Sequence, residues 1–183
     1  MRISLRKNME PANQQAPVEG DAVPLDRGRH LPAATQWRPD LAAHAEEDAA
    51  WDWSELLREA DGNHASGAGQ YEAHALECEG EVQAIMLLET AAHRSRQTGA
   101  VLVYVEYLAV APWNRRAIQL PPRFAGCGSG MISVAIERSR VLGLGGAIAL
   151  HSLPGASGFY TRLGLADLGL DPSENGLQYF EMV

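Results

Sequence analysis

The sequence has few cysteines and no long apolar run. Only Cys78 and Cys127 occur among its 183 residues, too few for a disulfide framework, and neither has partners at metal-ligand spacing. No apolar run approaches the ~20 residues that span a bilayer. Residues 1–7 lack the apolar block of a signal peptide. We therefore expect a cytoplasmic protein with reduced thiols, no membrane partner and no metal site.

Positive charge is also scarce. The chain has 15 Lys and Arg against 23 Asp and Glu, which gives a formal net charge of −8. A charge of this sign opposes binding to a polyanionic backbone, so nucleic acid is not expected as a partner. The same field favours a cationic acceptor such as an amine.

The patterning along the chain predicts a loose leader followed by one folded domain. Residues 1–20 are rich in Asn, Gln, Pro and Glu without a sustained period, so we predict a flexible leader there and a single domain over residues 21–183. Periodicity and breakers predict an α/β fold with a mixed sheet flanked by helices. The predicted elements are a short edge strand at 22–25, helices within 41–60, strands at 71–78, 81–90 and 101–110, a helix at 131–142, a strand at 147–150, a helix at 156–163, and a final strand or pair ending with 177–182.

A carboxylate interrupts the most apolar of these segments. Residues 101–110 are almost wholly apolar and rich in β-branched and aromatic side chains, as in a central strand that is covered on both faces. Glu106 lies within it, where burial is costly unless the carboxylate is partnered or functional. Strand alternation places Tyr104 on the same face. Glu106 is the candidate general base, and a salt bridge with Arg115 or Arg116 is the alternative.

A glycine-rich segment, residues 123–130, leads into the helix predicted at 131–142. Backbone N–H groups at the start of a helix can hold a phosphate, and glycine lets the ligand approach closely. No Lys-Ser or Lys-Thr pair follows, so the segment is not a nucleotide P-loop. Taken by itself, the segment is equally compatible with a flexible turn.

Three motifs in order resemble the GNAT superfamily of acetyltransferases. Arg123-x-x-Gly126-x-Gly128 matches the signature Q/R-x-x-G-x-G/A of that family. Residues 107–112 resemble its central strand, and residues 150–156 followed by Phe159-Tyr160-x-x-Leu163-Gly164-Leu165 resemble its later strand and last helix. The similarity is closest over residues 101–165, and it implies a GNAT acyltransferase fold with a central mixed β-sheet.

The resemblance implies acetyl-CoA as co-substrate. Its pyrophosphate is expected on the backbone amides of the glycine-rich segment, and its pantetheine on the main chain of the central strand. One departure is that an Asn often found near the start of the last helix is replaced around residues 153–154. The implied cofactor-binding residues are Leu108, Ala109, Val110, Arg123, Gly126, Gly128, Ser129 and Gly130.

The chemistry of acetyl transfer suggests further roles. Tyr160 resembles the tyrosine that protonates the leaving thiolate in many family members, and packing beside Phe159 is its alternative role. His151 is a second candidate for contact with the acceptor or for proton relay, whereas Cys127 has no matched base and direct transfer needs no acyl-enzyme. The expected function is N-acetylation of an amine by direct attack in a ternary complex. The alternative is a non-catalytic GNAT-fold module that acts through a protein partner, and a homodimer is also compatible.

Overall fold

The computed structural model describes residues 1–9 and 14–183. It confirms the predicted α/β class, because nine strands form a mixed sheet, in the order β6-β1-β2-β3-β4-β5-β7-β9-β8, with helices beside it. No helix in the described ranges has the length and apolar content needed to cross a membrane. The strands are β1 (Arg2–Met9), β2 (Gln14–Pro24), β3 (Tyr71–Cys78), β4 (Glu81–Glu89), β5 (Val103–Val110), β6 (Phe124–Ala125), β7 (Ile148–Ser152), β8 (Ala166–Asp171) and β9 (Leu177–Met182), and the α-helices are α1 (Arg27–Ala43), α2 (Trp53–Ser66), α3 (Cys127–Val141) and α4 (Ser157–Arg162).

The prediction of a loose leader over residues 1–20 is wrong for the residues that the structure describes. Strands β1 and β2 pair antiparallel from Arg2 opposite Asp21 to Met9 opposite Gln14. Ile3 and Leu5 are buried, and the residues between and beside them are exposed, which is the period-2 pattern of a half-buried strand. Residues 10–13 of the predicted leader lie outside the described residues. The predicted edge strand at 22–25 is the end of β2, which has β1 and β3 as neighbours.

Helix α1 begins well before the helices that the sequence predicted. Its buried residues are His30, Ala34, Trp37 and Leu41, a stripe at helical spacing. Asp26 caps the helix, since its Oδ1 accepts the Arg29 N–H at 3.1 Å. Two prolines inside the helix and a histidine in its buried stripe hide this pattern from a search for apolar periodicity.

The chain divides into two compact units, each described separately. The first unit comprises Met1–Ala60, Ala73–Met86 and Tyr107–Val134. It holds the β1–β2 hairpin, with β6 paired to β1 at Lys7 opposite Phe124 and β3 paired to β2 at Asp21 opposite Glu77. The start of α3 lies in this unit as well.

The second unit comprises Asp61–Glu72, Leu87–Glu106 and Ala135–Val183. In it, β5 pairs with β7 in parallel over Val103–Val105 only, and β7, β9 and β8 follow as antiparallel neighbours. A buried cluster joins these strands and consists of Leu102, Tyr104, Ala149 and Tyr179. The prediction of a single domain over residues 21–183 stays a prediction.

Gly130 fixes how closely β1 approaches helix α3. A Cβ at this position would lie 2.4 Å from Cγ2 of Ile3, and a β-branched side chain packed in a core has little freedom to move away. We expect Gly130→Ala to lower the free energy of unfolding by about 1–3 kcal/mol, measured by urea denaturation. Adding Ile3→Ala removes the clashing methyl, so the double variant should be less unstable than the sum of the two single variants. Simple additivity would contradict this packing of β1.

Candidate functional site

The glycine-rich segment forms a sharp turn into helix α3. Gly126 has φ +102°, a conformation that glycine adopts at low cost and other residues rarely adopt. Its carbonyl accepts the Gly130 N–H at 2.8 Å and the Ser129 hydroxyl at 3.1 Å. The turn therefore places Gly126 at the cap position of the helix, with the chain on either side fixed by β6 and α3.

The first amides of α3 are the candidate anion-binding groups. The N–H groups of Cys127, Gly128 and Ser129 precede the first helical hydrogen bond and have no partner within the helix. The positive end of the helix dipole adds to their attraction for an anion. The prediction that the Gly130 amide also binds phosphate needs correction, because this amide donates to Gly126. The amide of Cys127, which the sequence analysis had not included, takes its place in the set.

The Cys127 side chain is not placed to act as a nucleophile. It is buried, with Sγ 3.9 Å from the carbonyl oxygen of Phe124. Burial raises the pKa of this thiol to about 12, so it stays protonated and is a poor nucleophile. The expectation that Cys127 does not form an acyl-enzyme agrees with this environment.

Arg123 makes its contacts with protein carboxylates. Its guanidinium pairs with Glu81, lies 3.8 Å from an Oε of Glu79, and lies 5.2 Å from the ring centroid of Phe124. Its backbone is equally fixed, since its N–H donates to Trp113 and its carbonyl accepts from Asn8. The guanidinium is partly exposed, where ion pairs are weak. Its contact with a cofactor stays a prediction.

The end of β5 is held by the half-buried cation of Arg115. Arg115 Nε donates to the carbonyl of Val110 at 2.8 Å, so this predicted main-chain contact for pantetheine is already engaged. Arg115 also pairs with Asp48 at 2.5 Å and Glu46 at 2.8 Å. Leu108 and Ala109 lie on the preceding residues of the strand.

Glu106 lacks the salt bridge that was its alternative role. Arg115 is committed to Asp48 and Glu46, and within the described ranges no cation forms an ion pair with Glu106. Burial, together with the charges of Glu89 and Glu174, raises the pKa of Glu106 to about 7. A carboxyl group that titrates near neutral pH is well suited to general base catalysis.

Glu89, at the end of β4, is a buried carboxylate that the sequence analysis missed. Its two oxygens accept the backbone N–H groups of Gln70, Ala91, Ala92 and His93 at 2.7–3.2 Å. Burial alone would raise its pKa, but these four donors prevail and lower it, so Glu89 stays ionised. Residues around it line a cavity of about 400 Å³, which contains none of the predicted site residues. A carboxylate in an apolar strand was the signal used for Glu106, and it applies equally here.

Tyr160 lies on α4 with its ring buried. The ring centroids of Phe159 and Phe180 are 5.0 Å and 5.7 Å away, which fixes the orientation of the phenol. Burial raises its pKa to about 12, so the hydroxyl stays protonated at neutral pH. In the part of the chain that the structure describes, this hydroxyl has no hydrogen-bond acceptor. Tyr160 therefore has the aromatic packing of its alternative role and also a hydroxyl that donates no hydrogen bond in the described residues.

His151, on β7, lies between two polar side chains of the second unit. Its Nδ1 is 2.5 Å from the hydroxyl of Tyr104, and its Nε2 is 2.9 Å from Oδ2 of Asp171. His93 stacks on the ring of Tyr104 with centroids 4.1 Å apart. The sequence analysis named His151 but had no means of finding Asp171 or His93, which are distant from it in the chain.

No protein-family model and no protein of curated function matches this chain.

The chain has the fold of GNAT-family acetyltransferases. A structure described as a bacterial toxin aligns with TM-score 0.60 and 18% identity over 89% of each chain. A GNAT-family acetyltransferase from Listeria monocytogenes aligns with TM-score 0.55 and 15% identity, over 90% of this chain and 95% of that one. The PaiA N-acetyltransferase from Thermoplasma acidophilum, solved in complex with coenzyme A, aligns with TM-score 0.54 and 12% identity, over 88% and 97%. The resemblance found in the motifs is confirmed at the level of the fold.

Proposed function

We propose that this chain transfers an acetyl group from acetyl-CoA to an amine by direct attack in a ternary complex. The observation that carries the proposal is the glycine turn into α3, in a chain with the GNAT acetyltransferase fold. Cys127, Gly128 and Ser129 present amides without helical partners at the positive end of a helix. This donor set suits a pyrophosphate.

The residues of the first unit fit acetyl-CoA in two further ways. Gly126 turns the chain with φ +102° and leaves no side chain over the amides that follow it. Ser129 directs its hydroxyl back to Gly126, so the hydroxyl stabilises the turn instead of covering the helix end. We propose that the main chain of Leu108 and Ala109 binds the pantetheine arm. The engaged carbonyl of Val110 contributes less than the motif implied.

The acidic side chains of the second unit favour an amine acceptor. Glu106 shares its surroundings with Glu89 and Glu174, and their charges raise its pKa. The same negative potential stabilises an approaching ammonium group, which the net charge of −8 also attracts. The two buried cysteines are free thiols, as expected for a protein of the cytoplasm.

In the proposed reaction, Glu106 accepts a proton from the acceptor ammonium, because only the neutral amine is a nucleophile. The amine nitrogen then bonds to the thioester carbonyl carbon. Backbone N–H groups stabilise the resulting oxyanion, and the C–S bond breaks. Tyr160 donates its proton to the departing sulfur, and the second proton of the amine nitrogen, lost after the C–N bond has formed, restores the Tyr160 phenol. The products are an amide and free CoA.

Calorimetric titration with acetyl-CoA tests the cofactor site, and a thiol-release assay with a panel of primary amines tests the transfer. We expect binding in the first experiment and amine-dependent release of CoA in the second. Binding without release for any amine or peptide would favour the alternative, a GNAT-fold module that acts through a protein partner. Failure to bind acetyl-CoA would contradict the proposal itself.

The variant Tyr160→Phe separates binding from chemistry. The ring contacts with Phe159 and Phe180 survive the change, so folding and acetyl-CoA affinity should be those of the wild type. Loss of the proton donor should lower kcat about 100-fold. The measurement is kcat from CoA release together with Kd from calorimetry. A wild-type kcat would contradict the role of Tyr160 as the acid and favour its packing role.

A further inference from the structure

A line of hydrogen bonds runs through the second unit from β5 to the end of β8. The Tyr104 hydroxyl is 2.5 Å from His151 Nδ1, and His151 Nε2 is 2.9 Å from Asp171 Oδ2. Tyr104 and Asp171 are buried, with 9% and 6% exposed, and 6% of the His151 side chain is exposed. A phenol, an imidazole and a carboxylate in this order form a path along which a proton can move. The three groups are called the relay below.

The partners of Asp171 fix the protons of the relay. Asp171 accepts hydrogen bonds from the N–H and hydroxyl of Ser173 and pairs with Arg96. Hydrogen bonds from Ser173 and Arg96 hold its pKa well below the usual range, so the carboxyl group is ionised. His151 therefore carries its proton on Nε2 and donates it to Asp171. Its Nδ1 has a free lone pair that accepts the Tyr104 hydroxyl.

Tyr104 and Glu106 lie on the same face of β5, two residues apart. Burial raises the pKa of Tyr104, and the charges of Glu106 and Glu174 raise it further. Tyr104 therefore remains a neutral phenol, which can accept a proton on its oxygen while it donates its own to His151. Glu106, the proposed base, stands at the head of the relay.

We propose that Tyr104 and His151 remove the proton that Glu106 takes from the acceptor amine, and that Asp171 stabilises the imidazolium formed. In this step Glu106 returns to its carboxylate form as its proton passes through a bridging water to the oxygen of Tyr104, because no hydrogen bond joins these two side chains in the described residues. The original hydroxyl proton of Tyr104 bonds to His151 Nδ1, and the cation is paired with Asp171. Release of that proton to water restores the neutral imidazole. Charge and protons balance at each stage.

The relay rests on the proposed acetyl transfer, but it assigns new roles. Tyr104 and His151 are positioning and proton-transfer residues that act through Glu106, and Asp171 acts through His151. Other titratable or charged groups lie around the relay. These groups are His93, stacked on Tyr104; Tyr179, tilted against His151; Arg96, which pairs with Asp171; Glu181, which accepts backbone N–H groups of Arg96 and Gln97; and Glu174.

Tyr179 provides a matched control for Tyr104. Both phenols belong to the same buried cluster. Tyr179 shares its hydroxyl with His93 at 3.3 Å and makes no hydrogen bond to the relay in the described residues. Each Tyr→Phe change removes one oxygen and keeps the ring. A purely structural role for the hydroxyls predicts similar consequences for the two variants.

The test compares Tyr104→Phe, His151→Gln and Tyr179→Phe in the full chain. For Tyr104→Phe and His151→Gln we expect kcat to fall about 10- to 100-fold with unchanged acetyl-CoA affinity. Added imidazole should restore part of the kcat of Tyr104→Phe in proportion to its concentration, because a diffusing base can take the proton from Glu106. Tyr179→Phe should retain wild-type kcat and show no response to imidazole.

Two results would overturn the relay. One is a wild-type kcat in Tyr104→Phe, and the other is an equal loss in Tyr104→Phe and Tyr179→Phe without rescue by imidazole. Nitrogen NMR of His151 gives a readout independent of activity: Nε2 should be protonated and Nδ1 unprotonated in the resting protein. The opposite tautomer would also overturn the relay. A wild type that transfers to no amine contradicts the proposed function instead, and the tautomer distinguishes the two failures.

Discussion

The Gly128→Glu variant should lose its binding of acetyl-CoA while remaining folded. Gly128 is the second residue of α3, and its amide is one of the three without a helical partner. A glutamate there places bulk and negative charge where the pyrophosphate is expected. We expect at least about a 100-fold loss of affinity, because repulsion replaces charge-assisted hydrogen bonds. Calorimetric titration with acetyl-CoA measures this loss.

The simplest objection to that experiment is that Gly128→Glu loses affinity because it unfolds, and its stability tests this. An acidic side chain in the first turn interacts favourably with the helix dipole, and glutamate forms helices better than glycine does. The melting temperature should therefore be equal to or above that of the wild type. Gly62→Glu is the matched control, because Gly62 lies exposed in α2 and a Cβ there would have no neighbour within 4 Å. Unchanged affinity in Gly128→Glu would refute the site.

Local pattern in the sequence was enough to place β3, β5 and β9. The boundaries of β3 and β9 agree with those predicted, and β5 begins within two residues of the prediction. These strands are dense in apolar residues and end at clear breakers such as Pro112 or the turn at Glu79-Gly80, where both residues have positive φ. For these strands, the apolar pattern and the breakers of the sequence are sufficient to predict where the strand lies.

The first two strands and α1 were missed because their local signals are weak. Only Ile3 and Leu5 mark β1, and the strand is fixed by pairing with β2 and β6. Composition alone suggested disorder, whereas burial against α3 at Gly130 gives the strand its place. A short stretch of sequence does not show which distant residues it will contact, so such a strand cannot be predicted from its own residues.

The same limit applies to the candidate site. Glu106 and Tyr160 were found because each stands inside a recognisable strand or motif. The unusual environment of Glu106 depends on Glu89 and Glu174, which lie on other elements. The partners of His151 come from β5 and from the end of β8. Sequence reasoning found the residue types, and only the fold brings their electrostatic partners together.

Glu106→Gln should lower the catalytic activity but raise the free energy of unfolding. In the wild type, kcat/KM should rise with pH through about 7, because the base is active only when Glu106 is ionised and its pKa is raised to about 7. The variant cannot accept the proton, so kcat/KM should fall roughly 100- to 10,000-fold and lose this pH dependence. The measurement is kcat/KM between about pH 5 and 9, a range of about two units on either side of neutrality. A variant that keeps the wild-type profile would contradict the assignment of the base.

The stability of the same variant follows from the same pKa. A carboxyl group whose folded-state pKa is above its unfolded value of 4.5 stabilises the fold below that value and loses this contribution as pH rises through about 7. Because glutamine does not titrate, Glu106→Gln should gain about 1–3 kcal/mol over the wild type between pH 4.5 and 8, measured by denaturation at both pH values. Glu89→Gln should behave in the opposite sense at pH 8, because the ionised Glu89 is bound by four backbone donors and its pKa is lowered. If both variants were destabilised at pH 8, Glu106 would be a structural carboxylate like Glu89. A stabilised, inactive Glu106→Gln would mean that the fold bears the cost of an unpaired carboxylate for the sake of the reaction.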